Sequence, residues 1–313
     1  MHFAYPPRKA SNPPAFKPRS SRIPVLRKGK LRTIALFGVA VLFLLYLFSG
    51  SSKSGPKKTR HVPSGTPPVV MVTVLDSSHG LEYMDTIKEN RISYAKLHGY
   101  ETFFAHVGDY DLLGSPMSWT KVVALRHVLN KFPDCQYIWF LGQDAFIMDP
   151  KVSIHKDIMA ADKLGQLMIR NQPVALPDSI IKTYQHLRPE NVDLVVTQDS
   201  EGMSPESIII KNSEWAEFFL DTWYDPLYRS YNFQKAETHA LEHIVQWHPT
   251  VLSKLALIPQ KTLNSYSREQ YGVKYSNGDF VVRFAECTKT GATSCQQEAG
   301  RFNELRRNAF AKG

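Results

Sequence analysis

The acids in YIWFLGQDAFIMDP, Tyr137 to Pro150, are the first candidates for chemistry. An apolar strand that runs out into closely spaced carboxylates can hold a divalent cation, because the strand fixes the backbone and the turn aims the side chains. A cation held there neutralises a departing diphosphate. Asp144 stands at such an exit and is the candidate metal ligand. Gly142 occupies the position where a second carboxylate is wanted, and Asp149 before Pro150 reads as a turn residue. No His/Cys cluster in the sequence has zinc spacing, and no glycine-rich loop matches a phosphate-binding or dinucleotide fingerprint.

The elements needed to position Asp144 are legible. VVMVTVLD, Val69 to Asp76, is a β-branched run without helical period and reads as a buried strand. A helix follows over Leu81 to His98, with Tyr83, Ile87, Arg91 and Tyr94 three to four apart, and Gly99 ends it. ETFFAHV is a second strand, SWTKVVALRHVLNKF a helix, and QYIWFLGQDAFIM the third strand and its exit. VDLVVTQD and ESIIIKN read as strands bracketing a loop, SEGMSP. Ser213 caps the helix of SEWAEFFLDTWYDPLY, with Glu214 and Glu217 in its first turn. ALEHIVQWHPTVLSKLALIP supplies a helix and a strand, and GDFVVRFAEC a last strand. Strands alternating with helices predict an α/β domain with a largely parallel sheet and a ligand at the strands' carboxyl ends.

Charge is divided unevenly. Of 38 Lys and Arg, 13 lie in residues 1–60, which hold no Asp or Glu; the remaining 25 face 29 acids, a net of −4. The body is mildly acidic, which argues against nucleic acid as a partner. The basic arm leads into IALFGVAVLFLLYLF, Ile34 to Phe48, an uncharged run of 15 residues. More than thirty residues precede it and no small-x-small cleavage site of the Ala type follows. It therefore reads as a transmembrane signal anchor over 33–49 rather than a removed signal. Nine basic residues before the run and four after it keep the N-terminus cytosolic, a single-pass type II topology. The expected organisation is a disordered tail (1–32), the anchor, a flexible stem (50–68) and a lumenal domain (69–313). A short span suits the Golgi membrane, with the endoplasmic reticulum as second choice. In an oxidising lumen Cys287 and Cys295 are close enough along the chain to staple the C-terminal loop, leaving Cys135 as an ordinary buried thiol.

Read together, VVMVTVLD, ENRISYAKLHGYE, SWTKVVALRHVL, YIWFLGQDAFIM, LVVTQDSEG, IIIKNSEWAEFFLDTWYDP, ALEHIVQWHP, LALIPQKTLNSY and GDFVVRFAEC resemble glycosyltransferase family 34. That family comprises fungal Golgi α-1,2-galactosyltransferases and α-1,6-mannosyltransferases, with plant xylosyltransferase relatives. The likeness covers Val69 to Cys295 and is nearest to the α-1,6-mannosyltransferase subunits of fungal mannan-polymerising complexes. It implies a GT-A fold, Mn²⁺, retention of anomeric configuration, and GDP-mannose as donor to a mannan or N-glycan acceptor, in a hetero-oligomer with other glycosyltransferase subunits. By the same resemblance Thr73, Asp76, Asn90, Arg91, Tyr94, Trp119, Lys121 and Gln143 line the nucleotide-sugar pocket. Gln198 and Asp199 face the sugar or acceptor, and Asp144 binds the metal. His243 reads instead as a packed or surface histidine.

Four stretches depart from the family pattern. Members usually carry Asp where Gly142 stands, and a Gly-Leu-Asn-x-Gly-Ser turn where this chain has Gly202-Met203-Ser204-Pro205-Glu206-Ser207. Thr238 replaces a Gln after the acid of Glu237-Thr238-His239-Ala240-Leu241. Arg283 replaces the metal-binding His of a His-Phe-x-Gly-Cys strand. Arg283 either binds the diphosphate and partly replaces the metal, or pairs with Asp144 and fills the site. Two functions follow: a hexosyltransferase, using GDP-mannose or, alternatively, UDP-galactose, or a glycosyltransferase-like subunit that stabilises an active paralogue.

Overall fold

The computed structural model describes residues 36–41, 65–176 and 179–312. The chain divides into two compact units, residues 1–61 and 62–313. In the first, residues 36–41 are helical and exposed. The rest of the expected tail and anchor, and the stem up to residue 64, lie outside the described residues. Among the described residues no helix is long and apolar enough to cross a membrane.

The second unit alternates strands and helices: β1 (Val69–Leu75), α1 (Leu81–His98), β2 (Glu101–His106), α2 (Thr120–Lys131), β3 (Tyr137–Leu141), β4 (Ala145–Ile147), α3 (Ala161–Leu167), β5 (Leu194–Asp199), β6 (Gly202–Lys211), α4 (Glu214–Trp223), α5 (Pro226–Ser230), α6 (Ala236–Trp247), β7 (Leu255–Ile258), β8 (Ser265–Tyr266), β9 (Val281–Arg283) and α7 (Cys295–Lys312), with single-turn helices between. Asp76 caps the single turn Ser77–His79 by accepting from Ser78 N–H at 2.9 Å; helix α1 starts after Gly80 and ends at Gly99 in the left-handed region, φ 66°. Ser213 caps α4 by accepting from Ala216 N–H.

The main sheet has the order β2-β1-β3-β6-β5-β7. β1 pairs in parallel with β2 and β3, and β5 with β7, but β6 is antiparallel to both β3 and β5. The sheet is thus mixed rather than simply parallel, for a local reason. The stretch read as the loop SEGMSP is only a tight turn at Ser200 and Glu201, and a turn that short joins antiparallel strands. Gly202 to Ser207 are strand.

Both faces of the sheet are covered, which is why its strands read as continuous apolar runs. Val70, Val72, Ile138, Phe140, Ile208 and Ile210 face the helices α2, α4 and α6. Val69, Met71, Trp139, Leu141 and Ile209 face the other way, against Tyr94 of α1 and Val281 of β9. Burying each such side chain contributes about 1.5–3 kcal/mol. A second sheet of order β4-β9-β8 lies at the exit of β3. This sheet and α7 are absent from the expectations above.

Candidate active site

Strand β3 ends at Leu141, paired with Ser207 of β6. One residue on, Gly142 N–H donates to Glu206 C=O at 2.8 Å, so residues 142 and 206 face each other where the sheet opens. The chain turns through Gln143 and Asp144 into β4, where Ala145 pairs with Arg283. That register sets Arg283 beside Asp144, and its Nε donates to Asp144 Oδ2 at 2.8 Å. Strand β8 pairs Tyr266 with Arg283, and Arg283 Nη1 donates to Tyr266 Oη at 3.3 Å and Ser204 Oγ at 3.1 Å. Tyr266 in turn donates to Asp199 Oδ2 at 2.5 Å. Burial pushes its phenol up to about 12, so it remains a donor at neutral pH.

A second cation lies on the opposite wall. Lys121, in the first turn of α2, pairs with Glu206 and, at 2.9 Å, with Glu237 of α6. Burial alone would lower the lysine, but its two carboxylates raise it above the ordinary value. Burial likewise works against ionisation of Glu206, yet Lys121 and Arg283 hold its carboxyl below the usual range. Three carboxylates, Asp144, Glu206 and Glu237, therefore surround two cations, with one negative charge in excess. Glu237 is buried and its Oε2 lacks a hydrogen-bond partner among the described residues.

Toward β1 the cleft continues past Asp76, Gln143 and Lys121. Gln143 Oε1 accepts from Asp76 N–H at 2.8 Å, and Lys289 reaches Asp76 at 3.2 Å. Burial opposes ionisation of Asp76, but hydrogen bonds from Ser78 and the Lys289 ammonium hold its carboxyl at about 2. Lys289 sits in the loop closed by the Cys287–Cys295 disulfide, Cα–Cα 4.9 Å, which bears out that expected pair. Cys135 is buried, with the Asn212 amide 3.5 Å from its sulfur.

Several residues expected in the donor pocket lie beneath it instead. Asn90 exchanges two hydrogen bonds with the backbone of Ile147, both 2.9 Å. Arg91 is fully buried and donates to Gly142 and Ala145 carbonyls, each at 2.9 Å. Tyr94 donates to Val152 C=O at 2.6 Å and Thr73 to Leu141 C=O at 3.0 Å. Thr73, Asn90 and Arg91 thus satisfy backbone groups of Leu141 to Ile147 and fix the turn that carries Asp144, while Tyr94 ties down the chain beyond β4. Gln198 bonds Pro173 and Val174 carbonyls, away from Asp199. Trp119 is buried, edge-on to Tyr224, and lines a separate groove. His243 packs among Tyr228 and Phe233, as its helical setting suggested.

The sequence of residues 65–294 matches the model of the galactosyl transferase GMA12/MNN10 family. The chain belongs to this family. It is 32% identical over 269 residues to an uncharacterized α-1,2-galactosyltransferase, C8D2.17, of Schizosaccharomyces pombe, covering 82% of this chain and 80% of that one. It is 29% identical over 285 residues to the probable α-1,6-mannosyltransferase MNN11 of Saccharomyces cerevisiae, covering 83% and 66%. An α-1,2-galactosyltransferase of S. pombe is 29% identical over 211 residues, 66% of this chain and 56% of the relative; the chain thus spans about half the length of that relative. A solved glycosyltransferase involved in glycosylating the major capsid of PBCV-1 superposes with a TM-score of 0.49 at 10% identity, over 76% of this chain and all of that one.

The Mn²⁺ that the family resemblance implies does not fit these residues. Among the described residues no three His, Cys, Asp or Glu side chains are grouped to hold a metal. Asp144 is engaged by Arg283, Glu206 by Lys121, and Gly142 offers no ligand. The missing carboxylate has a counterpart that reasoning from sequence passed over. A Cβ on Gly142 would stand 2.5 Å from Asp144 Oδ1 and 3.0 Å from Glu206 Oε2. Glu206, across the strand pair, thus fills the space a side chain at 142 would claim. Its signal was an acid two residues before the apolar run Ile208–Ile210, at a place where the family pattern has glycine. Tyr266, Ser204, Glu237 and Lys289 had no local signal, because register and the disulfide loop bring them in.

Proposed function

We propose that this chain is a Golgi type II membrane hexosyltransferase of GT-A type. It transfers mannose from GDP-mannose to a mannan or N-glycan acceptor, in company with other glycosyltransferase subunits. The observation that carries this is the convergence of Asp144, Glu206, Lys121 and Arg283 at the carboxyl end of β3 in a chain of this family. The nucleotide lies toward Asp76, Gln143 and Lys289, and the diphosphate draws Lys121 and Arg283 away from their carboxylates. A guanidinium matches phosphate oxygens in pairs, and two fixed cations offset the charge of a leaving diphosphate. Asp199, oriented by Tyr266, meets the acceptor hydroxyl. The apolar run at 34–48 and its flanking charges support the anchor and its orientation.

The test is transfer of labelled mannose from GDP-mannose to an α-mannan oligosaccharide by the purified full-length chain with its partner subunits. Asp199→Asn is expected to lower kcat about 100-fold, the size of a lost acid–base contribution, with donor affinity unchanged. UDP-galactose belongs in the same assay, since the relative at 32% identity carries a galactosyltransferase name. Transfer from that donor alone overturns mannose.

A second reading has its own support. Each cation already has a carboxylate, which suits a filled, non-catalytic subunit. On that reading Asp144→Ala leaves polymer synthesis intact while removal of the whole chain abolishes it.

A further inference from the structure

Beside the acidic cleft runs a groove of about 550 Å³ between the Leu113–Trp119 segment and the Pro226–Ala236 segment. Pro116, Asn232, Phe233 and Ala236 line both, so the two are continuous. The acidic cleft in turn shares Ser118, Glu206 and Arg283 with the part that contains Asp76 and Lys121, whereas the groove shares no residue with that part. The order is therefore nucleotide end, acidic junction, groove.

The groove differs in character from both. It has no Asp, Glu, Lys or His in its lining. Its one cation, Arg229, is committed: Nε donates to Tyr224 C=O at 3.0 Å, and the guanidinium stacks 4.2 Å over the Tyr224 ring. What the groove presents is Tyr231, 46% exposed, with the exposed side chain of Asn232 and the edge of Phe233. Tyr231 is held edge-on against Phe233 at 5.4 Å and Tyr228 at 6.3 Å, so its ring is pre-set rather than loose. Ala236 adopts φ 40°, a left-handed conformation that turns the chain from this wall into α6.

A rigid aromatic face with an amide and a phenol beside it, and no uncommitted charge, suits a neutral ligand with an apolar face and a hydroxyl rim. A pyranose ring has that construction. We infer that this groove is the acceptor subsite, taking a neutral oligosaccharide over Tyr231 with its hydroxyls on Asn232, and that the chain's reactive end points through the junction toward Asp199. The inference rests on the hexosyltransferase reading and names the ligand class on the far side of the site from the nucleotide. A nucleobase also stacks on aromatic rings, but the nucleotide end lies two segments away, past the junction.

The experiment is titration of the full-length chain, as wild type, Tyr231→Ala, Tyr231→Phe and Asn232→Ala, with an α-linked mannotriose and separately with GDP. The expected result is mannotriose binding weakened about 5-fold by Tyr231→Ala, restored by Tyr231→Phe and reduced by Asn232→Ala, with GDP affinity unchanged. Tyr231 is largely exposed, so these variants are expected to fold; a thermal melt checks it. Mannotriose binding that ignores Tyr231, or no mannotriose binding at all, overturns the inference. Loss of GDP affinity in Tyr231→Ala makes the occupant a nucleobase and overturns it too. If GDP binds while mannotriose is insensitive to these changes, the subsite alone fails. If neither binds, the hexosyltransferase reading fails with it.

Discussion

The acidic cleft and the neutral groove share the wall formed by Asn232 to Ala236, yet they are built in opposite ways. The cleft draws its groups from far apart in the chain. Asp144, Glu206 and Arg283 meet because the registers of β3 on β6 and of β4 on β9 bring them together, and α2 and α6 deliver Lys121 and Glu237 to the same place. Its charges are mutually dependent, and removing one strands another. The groove comes from two short local segments that expose Tyr231 and Asn232, neither of which is tied to a charge of the cleft. The contrast predicts that the cleft's side chains carry stability as well as function, whereas the groove's carry function alone.

Lys121→Met is the strongest way to break that contrast. It leaves Glu206 and Glu237 without their cation in a site where Lys121 and Glu237 side chains are 5% and 4% exposed. Stability should fall by about 3–5 kcal/mol, read as a lowered denaturation midpoint. Tyr231→Ala should change stability by less than about 0.5 kcal/mol. Equal effects would mean that the lysine is dispensable to the fold and the contrast wrong.

Next in size is Arg283→Ala, which removes the guanidinium that bridges Asp144, Ser204 and Tyr266. GDP affinity should drop about 10- to 100-fold, the range for losing a charge-assisted contact. A gain in affinity would support the filled, non-catalytic reading instead.

Acid sharpens the comparison further. The folded carboxyls of Glu206 and Asp76 lie below their ordinary values, Asp76 at about 2. Groups of this sign contribute stability that is complete above the unfolded carboxylate range, near pH ~4, and lost as pH falls through the folded value. Denaturation midpoints measured from pH 6 downward should therefore decline below about pH 4, and Glu206→Gln should flatten the decline. Tyr231→Ala should leave the slope as it is.

Gly142→Ala carries the smallest expected effect. The new Cβ meets Asp144 Oδ1 and Glu206 Oε2, both ends of side chains able to shift, so the cost is about 1 kcal/mol or less. GDP affinity should still change, because Asp144 and Glu206 steer the two cations.

The same division explains what the sequence disclosed. The bounds of β1 and α1, the left-handed stop at Gly99, the Ser213 cap and the Cys287–Cys295 pair are set by local spacing and were legible. Asp144 was legible because an acid follows an apolar strand. Arg283 was legible as a departure from a family pattern, and the structure shows it paired with Asp144. Glu206 was read only as the first residue of the strand ESIIIKN after a loop over Ser200 to Pro205; β6 in fact starts at Gly202, and its pairing places residue 206 opposite residue 142. Asn90, Arg91, Tyr94 and Thr73 were assigned to the pocket by the family resemblance. Burial decides otherwise: Asn90, Arg91 and Thr73 spend their polar atoms on backbone in and beside the β3–β4 turn, and Tyr94 on Val152 beyond it. The groove had no signal at all, since exposed Tyr and Asn in a loop look the same whether or not a second wall faces them.

The central claim is that Lys121 and Arg283 receive a nucleotide diphosphate without a metal ion. Calorimetric titration of the full-length chain with GDP-mannose, in a chelator and again in Mn²⁺, tests it most directly. The account predicts binding of equal affinity in both, lost in Arg283→Ala. Binding that appears only with Mn²⁺, or that survives Arg283→Ala unchanged, would contradict it.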